Sequence, residues 1–225
     1  MSVNAETLLS GSLFALQQCG LLVTDASLLF ERGRRATAAG VALLAHEELG
    51  RHKILLDLWK SAVEGTVVTP DEVRTRTTDH VAKQRAGQMS VTYRLDADDE
   101  LSRLLRARHA AIGTPEYGAL DEQVKRIDRS VAKRQPHDRH EWRESAFYVD
   151  LLDDGVGWSR PSDLSGAKCA RAVCDAINDY AGRRDRFESP EVNTDEVLVR
   201  ALAAMSAKPV LPEPPFNSAA FHEGF

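Results

Sequence analysis

The amino-acid sequence predicts an all-α bundle of about six or seven helices with little or no sheet. Three observations lead there. Apolar residues recur at three- and four-residue intervals along most of the chain, the spacing that lines up one face of a helix. Helix start signals separate these segments, the best formed being Thr69-Pro70-Asp71-Glu72, with Thr at the N-cap, Pro at the first helical position and Glu three residues after the cap. Only one run, Phe147-Tyr148-Val149-Asp150-Leu151-Leu152, reads as a strand.

Residues 5–31 carry Leu8, Leu9, Leu13, Leu16, Leu21, Leu22, Leu28, Leu29 and Phe30, interrupted by Gly11, Gly20 and Thr24-Asp25. This pattern suits one long helix or two abutting ones. After Gly33 a second helix is expected from about Arg34 to Glu64, ended by Gly65. At 1.5 Å per residue it spans about 45 Å, long enough for the spine of a bundle. Along it Gly40, Leu43, Leu44, Ile54 and Leu58 share an apolar stripe, while His46, Lys53, Asp57 and Lys60 lie on the opposite, solvated face. Glu47 and Arg51 interrupt the middle of the stripe, one turn apart and placed to pair. Burying such a pair is rarely the cheapest way to stabilise a helix, since desolvation offsets the attraction. These two residues are therefore the first candidates for function.

On the helix that starts at Pro70, Val73, Thr77, His80, Gln84, Gly87 and Val91 share one face, with His80 at its centre and Lys83 at its edge. A lone inward histidine is ordinarily a hydrogen-bonded core residue. Asp96 to Asp99 suit the cap of a helix from Glu100 to Ile112, and Thr114-Pro115-Glu116 starts another with Leu120, Val124, Ile127 and Val131 at helical spacing, which Pro136 breaks or restarts. Lys125, Arg126, Arg129, Lys133, Arg134, Arg139 and Arg143 cluster there, either as a solvated face or as a track for RNA phosphates.

The Phe147–Leu152 run, ended by Asp153-Asp154-Gly155, is expected as an extended, aromatic-anchored connection, because no second run is available to pair with it. It leads through Gly157-Trp158-Ser159-Arg160-Pro161 into a helix with Leu164, Ala167, Val173, Cys174, Ile177 and Tyr180. Thr194 is placed to cap a last helix with Val197, Leu198, Ala201, Leu202 and Met205. Four prolines within residues 209–215 make an extended, loosely held tail. The expected organisation is a main helical domain over 1–188, a C-terminal helix over 189–208 and a flexible proline-rich tail over 209–225.

With 43% hydrophobic and 28% charged residues, the 225-residue composition is that of a soluble globular protein. A net charge of -5 gives no support for non-specific binding to nucleic acid or an anionic membrane, though a local basic patch remains open. No run of about 18 uncharged apolar residues marks a membrane span, and the first residues lack the basic start and apolar core of a signal peptide, so the cytoplasm is the expected location. Cys19, Cys169 and Cys174 are too few for a disulfide framework and fit no zinc spacing, which leaves them as small buried hydrophobes. A di-iron bundle needs Glu-x-x-His on two helices. Neither Glu47 nor Glu48 has a histidine three residues on, and His52 follows Glu48 by four. Glycine-rich phosphate loops, Gly-x-Ser-x-Gly and His-Glu-x-x-His are missing too, so neither metal nor cofactor is expected.

The remaining constellation is Glu47, Arg51, His80 and Lys83, on two consecutive helices expected to be antiparallel neighbours. A histidine, which titrates near neutrality, beside a cation that steadies a developing phosphorane is sufficient equipment to cleave RNA through its own 2'-hydroxyl without a metal.

Ala45-His46-Glu47-Glu48-Leu49-Gly50-Arg51 resembles the Glu-Glu-Leu-Gly-Lys signature of the abortive-infection AbiV family, within the HEPN superfamily of helical nucleotide- and RNA-associated domains. Asp79-His80-Val81-Ala82-Lys83 is similar to the family's His-x-x-Lys segment. Phe147-Tyr148-Val149-Asp150 with Gly155, Trp158 and Pro161 resembles its Tyr-Val-Asp stretch with a downstream Trp and Pro. Order and spacing agree, and the resemblance covers about residues 8 to 185. It departs at Arg51, where the family usually has Lys; arginine keeps the charge but cannot relay protons, so any role there is electrostatic.

HEPN ribonucleases carry Arg-x4-6-His, matched here by Arg74 to His80, Arg103 to His109 and Arg134 to His140. With 7 histidines among so many arginines, about two matches arise by chance. Arg134 to His140 has the family-like basic context, and Arg74 to His80 uses the histidine already singled out. The resemblance implies a HEPN-like bundle, a homodimer, and anti-phage defence by RNA cleavage or translational block. His80 or His140 would serve as acid/base, and Arg51, Lys83 or Arg134 would hold phosphate. The alternative is a non-catalytic module that binds a phage or host protein, with Glu47 and Arg51 fixing helix register.

Overall fold

The computed structural model describes residues 2–87, 100–152, 155–188, 195–205 and 208–215, except the side chains of 100–102, 105 and 128–135. Val91, the Asp96–Asp99 cap, Asp153-Asp154, the Thr194 cap and the Val131 side chain fall outside it. The chain folds as an all-α bundle: α1 (Ala5–Glu31), α2 (Arg35–Val63), α3 (Pro70–Thr78), α4 (His80–Gly87), α5 (Glu100–Ala110), α6 (Tyr117–Phe147), α7 (Gly166–Glu188) and α8 (Glu196–Ala204).

α1 is one continuous helix, its first turn closed by Asn4, whose side chain accepts from the Thr7 amide at 2.7 Å. Gly33, at φ 73°, turns the chain into α2. The two helices form an antiparallel hairpin, visible where Ser12 Oγ meets His52 Nδ1 at 2.9 Å. Residues 7–24 lie between Glu6 and Asp25 without a charge, and α1 is long and apolar enough to cross a membrane by length and composition. The sequence argument against any such segment therefore does not hold for α1, although its apolar residues Leu8, Leu13, Leu16, Cys19 and Val23 are buried in the bundle.

α2 is the spine, packed on α1, α4, α6 and α7. Enclosure on so many sides widens its buried arc well beyond one stripe. Lys53, Asp57 and Lys60 remain at the surface, but His46 is buried. One end of the core joins Leu16, Val23, Leu43, Leu49, Val173, Ile177 and Tyr180; the other joins Leu8, Leu13, Ile54, Leu58, Trp59, Leu198 and Leu202.

Several local expectations are corrected. The helix from Pro70 breaks at Asp79, which is extended (φ -69°, ψ 115°) and accepts from the Ala82 amide at 3.0 Å, so Asp79 ends α3 and caps α4. Thr114 does not start α6; its hydroxyl donates to the Ala111 carbonyl at the end of α5, and α6 begins at Tyr117. Pro136 lies inside an unbroken α6, whose halves are held by buried Val124 and Ala146, so packing outweighs the missing hydrogen bond.

The β-like run does find a partner, in its own return: β1 (Asp150–Leu151) pairs antiparallel with β2 (Trp158–Ser159). Asp195 caps α8, accepting from the Leu198 amide at 3.2 Å. Residues 208–215 form neither helix nor strand, yet the looseness expected of the tail does not reach 210–213. Tyr180 donates to the Pro212 carbonyl at 2.6 Å, Gln17 donates to the Val210 carbonyl, Leu211 is buried, and Arg184 pairs with Glu213.

Candidate functional site

α2, α4 and α6 converge on Glu47. Its carboxylate is buried and meets three basic side chains: His80 Nδ1 at 2.6 Å, Lys83 Nζ at 3.2 Å and Arg143 Nε at 3.4 Å. Lys83 is sealed with it, whereas the His80 side chain is 46% exposed. Burial thus separates the roles: Glu47 and Lys83 lie beneath the surface, and His80 carries the arrangement to solvent.

Two glycines permit this convergence. A Cβ on Gly50 would lie 1.8 Å from the Lys83 carbonyl oxygen, and one on Gly87 would lie 2.5 Å from the His46 carbonyl oxygen. α4 therefore crosses α2 backbone to backbone, which only glycine allows. Gln84, fully buried, fixes the crossing by donating to the Leu43 carbonyl at 2.9 Å.

α6 supplies the second histidine. The His140 ring stacks on His80 with centroids 5.8 Å apart and planes 20° apart. Arg143, one turn on, donates to His140 Nδ1 at 3.3 Å, and His140 Nε2 faces Glu144 at 3.5 Å. These partners set opposite tautomers. His80 Nδ1 holds its proton toward the Glu47 carboxylate, leaving a lone pair on Nε2; His140 Nδ1 accepts from Arg143, placing the proton on Nε2.

The expected Glu47–Arg51 pair does not form. Arg51, with its side chain 40% exposed, turns to Glu48 at 3.4 Å, and Lys83 takes the place at Glu47 that the helical spacing suggested for it. Burial raises the Glu48 carboxyl above its usual range, with Arg51 and Lys83 pulling it back down. His80 is likewise not at the centre of an inward face; its side chain reaches solvent while Lys83 is interior, because the break at Asp79 rotates α4 relative to α3. Three acidic side chains, Glu47, Glu48 and Glu144, lie among three basic ones, Arg51, Lys83 and Arg143.

Of the Arg-His matches, Arg74 is exposed and bound to Asp71, Arg103 and His109 are exposed on α5, and the Arg134 side chain lies outside the described residues. The basic cluster of α6 is not one face: Arg139 is buried against Asp175 at 3.3 Å, Arg143 reaches Glu47, and Lys125 pairs with Asp121 and Glu122. Sequence reasoning missed Arg143 and Gly50 as parts of the site. Their signals were present, Arg143 three residues after His140 and Gly50 three after Glu47, but each needs a neighbouring helix to acquire meaning.

Among the described residues no group of three or more His, Cys, Asp or Glu side chains is arranged to hold a metal ion. A buried polar centre lies behind the site, where His46 Nδ1 faces Asp179 at 3.6 Å, beyond hydrogen-bond reach. Burial first, then the Arg139 charge, pushes the His46 imidazole well below its usual range, so this contact joins a neutral ring to the carboxylate rather than an ion pair.

The family model of AbiV, a HEPN family, matches residues 7–180. The chain belongs to the AbiV family. Neither a curated protein nor a solved structure matches it. The AbiV match runs from the first turns of α1 to Tyr180 in α7 and includes every helix of the site; α8 and the proline-rich segment lie beyond it. This is accordingly a HEPN-type protein of an abortive-infection family.

Proposed function

We propose that this AbiV-family protein is a cytoplasmic anti-phage effector that cleaves RNA without a metal, by attack of the 2'-hydroxyl on the adjacent phosphodiester. The observation that carries the reading is the solvent-facing His80–His140 stack, whose hydrogen-bond partners, Glu47 on one ring and Arg143 on the other, call for opposite tautomers. His80, oriented by Glu47 as a carboxylate orients the imidazole of a catalytic triad, takes the 2'-hydroxyl proton on Nε2. His140 gives its Nε2 proton to the departing 5'-oxygen. Arg143, and Arg51 at the rim, stabilise the phosphorane charge, which Lys83 is too deeply buried to touch. Glu47 and Lys83 are positioning residues in this scheme.

Purified protein incubated with total RNA and tRNA, beside His80→Ala and His140→Ala variants, tests it. The native chain should cleave, and each variant should lose about 10²–10⁴-fold of the rate, the usual contribution of one general acid or base. Equal decay in all three, or none in any, removes catalysis from the account.

A second reading, a non-catalytic module binding a phage or host protein, is favoured by the sealing of Glu47 and Lys83, which suits a structural ion pair. Under it, a His80→Ala/His140→Ala double variant keeps full protection of cells against phage.

A further inference from the structure

The bundle does not absorb all the positive charge of α5 and α6. Residues 103–134 carry eight Arg and Lys against four Asp and Glu, in a chain whose formal net charge is -5, so the excess is local. α5 packs principally on α6, where Arg108 meets Asp121 at 3.1 Å, and the two helices form an arm that carries these residues. Part of the charge is neutralised, since Lys125 lies against Asp121 and Glu122. Arg103 and Arg126 are exposed and make no ion pair among the described residues. Along α6 the helical repeat sets Arg126, Arg129, Lys133, His137 and His140 on one stripe. No acidic residue falls on it between its ends, because Asp128 and Asp138 come round toward the other side of the helix. His137 is exposed and His140 half-buried, so the stripe runs from the arm into the His80–His140 stack. From Arg126 to His140 it covers about 21 Å at 1.5 Å per residue.

We propose that the α5–α6 arm is a second, non-catalytic binding site, which holds the phosphates of a single RNA strand along Arg103, Arg126 and the α6 stripe while the reacting phosphate sits at His80 and His140. The inference rests on the RNA-cleaving reading for its ligand and adds the substrate class. A stacked strand advances about 3.4 Å per nucleotide, so the stripe accompanies about six nucleotides on one side of the scissile bond. One line of cations matches one backbone, and in-line attack by a 2'-hydroxyl needs a backbone free to leave helical geometry, so the strand is unpaired. Contacts to phosphate position a strand without reading its bases, so length and single-strandedness define the substrate rather than sequence. The planar fork of arginine at the two unpaired positions suits phosphate oxygens. Confinement to one arm reconciles such a site with a chain that is acidic as a whole.

Fluorescence anisotropy of a labelled, single-stranded 2'-O-methyl RNA, titrated with the full chain at several salt concentrations, tests the proposal. Such a probe keeps every phosphate but has no 2'-hydroxyl to attack, so binding is read apart from cleavage. Wild type should bind a probe of about 12 nucleotides, twice the span of the stripe, at least tenfold more tightly than a tetranucleotide. Arg103→Gln/Arg126→Gln removes two phosphate contacts and should lower the slope of log affinity against log salt by about 1.4, which is about 25-fold in affinity at 0.1 M salt and fades toward 1 M. Arg32→Gln/Arg34→Gln, which removes two exposed charges at the α1–α2 turn, should bind as wild type does. Circular dichroism melts confirm that both variants fold. A wild type that binds neither probe overturns the proposal, as does a long probe held equally by Arg103→Gln/Arg126→Gln, or one held no better than the tetranucleotide. A chain that holds the long probe through Arg103 and Arg126 yet cleaves no RNA supports the arm and removes only the cleavage reading. Cleavage of RNA by a chain indifferent to the two arginines removes only the arm.

Discussion

Replacing Gly50 by alanine adds one methyl group where α2 and α4 touch. The new Cβ would lie 1.8 Å from the Lys83 carbonyl oxygen, 2.5 Å from its carbonyl carbon and 2.9 Å from its Cα. All three are backbone atoms, so no rotamer relieves the overlap. Ordinary contact begins near 3.4 Å, so α4 must retreat by about 1.6 Å. His80 and Lys83 ride on α4, and the same displacement would stretch their 2.6 Å and 3.2 Å contacts with Glu47 to about 4.2 and 4.8 Å, past hydrogen-bond reach.

Overpacking of this kind costs about 1–3 kcal/mol, and part of the larger penalty for parting a buried ion pair adds to it. About 2–5 kcal/mol in a chain of this length lowers Tm by about 5–15 °C. Thermal melts and chemical denaturation measure the loss, and hydrogen exchange across residues 79–87 shows whether α4 loosens. Gly118, in α6, is the control: a Cβ there meets nothing within 4 Å, and Gly118→Ala should stabilise by about 0.5–1 kcal/mol. A Gly50→Ala protein that melts with the wild type and keeps α4 protected would refute the account of how the site is held together.

Glu47→Gln leaves the buried Lys83 ammonium without its carboxylate and should destabilise by about 3–5 kcal/mol in urea titrations. Glu47→Gln/Lys83→Met should recover more than half of that, and strict additivity of the two changes would mean that they are not coupled. Acid should destabilise the fold through two buried imidazoles. Burial above all pushes His52 down to about 3 from 6.5, and His46 is depressed as well. The unfolded chain therefore binds protons that the folded chain refuses: stability is full above pH 6.5 and falls as pH drops toward 3. His52 alone accounts for about 2 kcal/mol between pH 7 and pH 5, or roughly 4–8 °C in Tm, and His52→Asn should flatten the slope. A melt independent of pH over that interval would contradict it.

Helix content and order followed from local patterning. Apolar spacing and the Thr69-Pro70 start signal act within a few residues, so the sequence marked α1, α2, the start of α3 and α7 without reference to neighbours. Where two local signals compete, packing decided. Pro136 reads as a breaker yet sits inside α6, and Asp79, unremarkable in the pattern, splits α3 from α4 because its side chain caps the following turn. The Phe147–Leu152 run paired only with its own return strand, which a search for a second hydrophobic run could not reveal.

The sequence by itself determined that an acid stands in the middle of the α2 stripe, that His80 and Lys83 follow on the next helical segment, and that His140 lies within a basic stretch. Tertiary structure alone decided their partners. Helical periodicity specifies which residues share a face, not which helix will cover it, so Arg51 was the expected partner of Glu47. The glycine-to-backbone crossing at Gly50 instead brings α4 close enough for Lys83 and His80 to take that carboxylate, and α6 adds Arg143 from almost a hundred residues away. The stacking of His80 on His140 belongs wholly to the fold, since two rings from separate helices meet only when three helices share one centre.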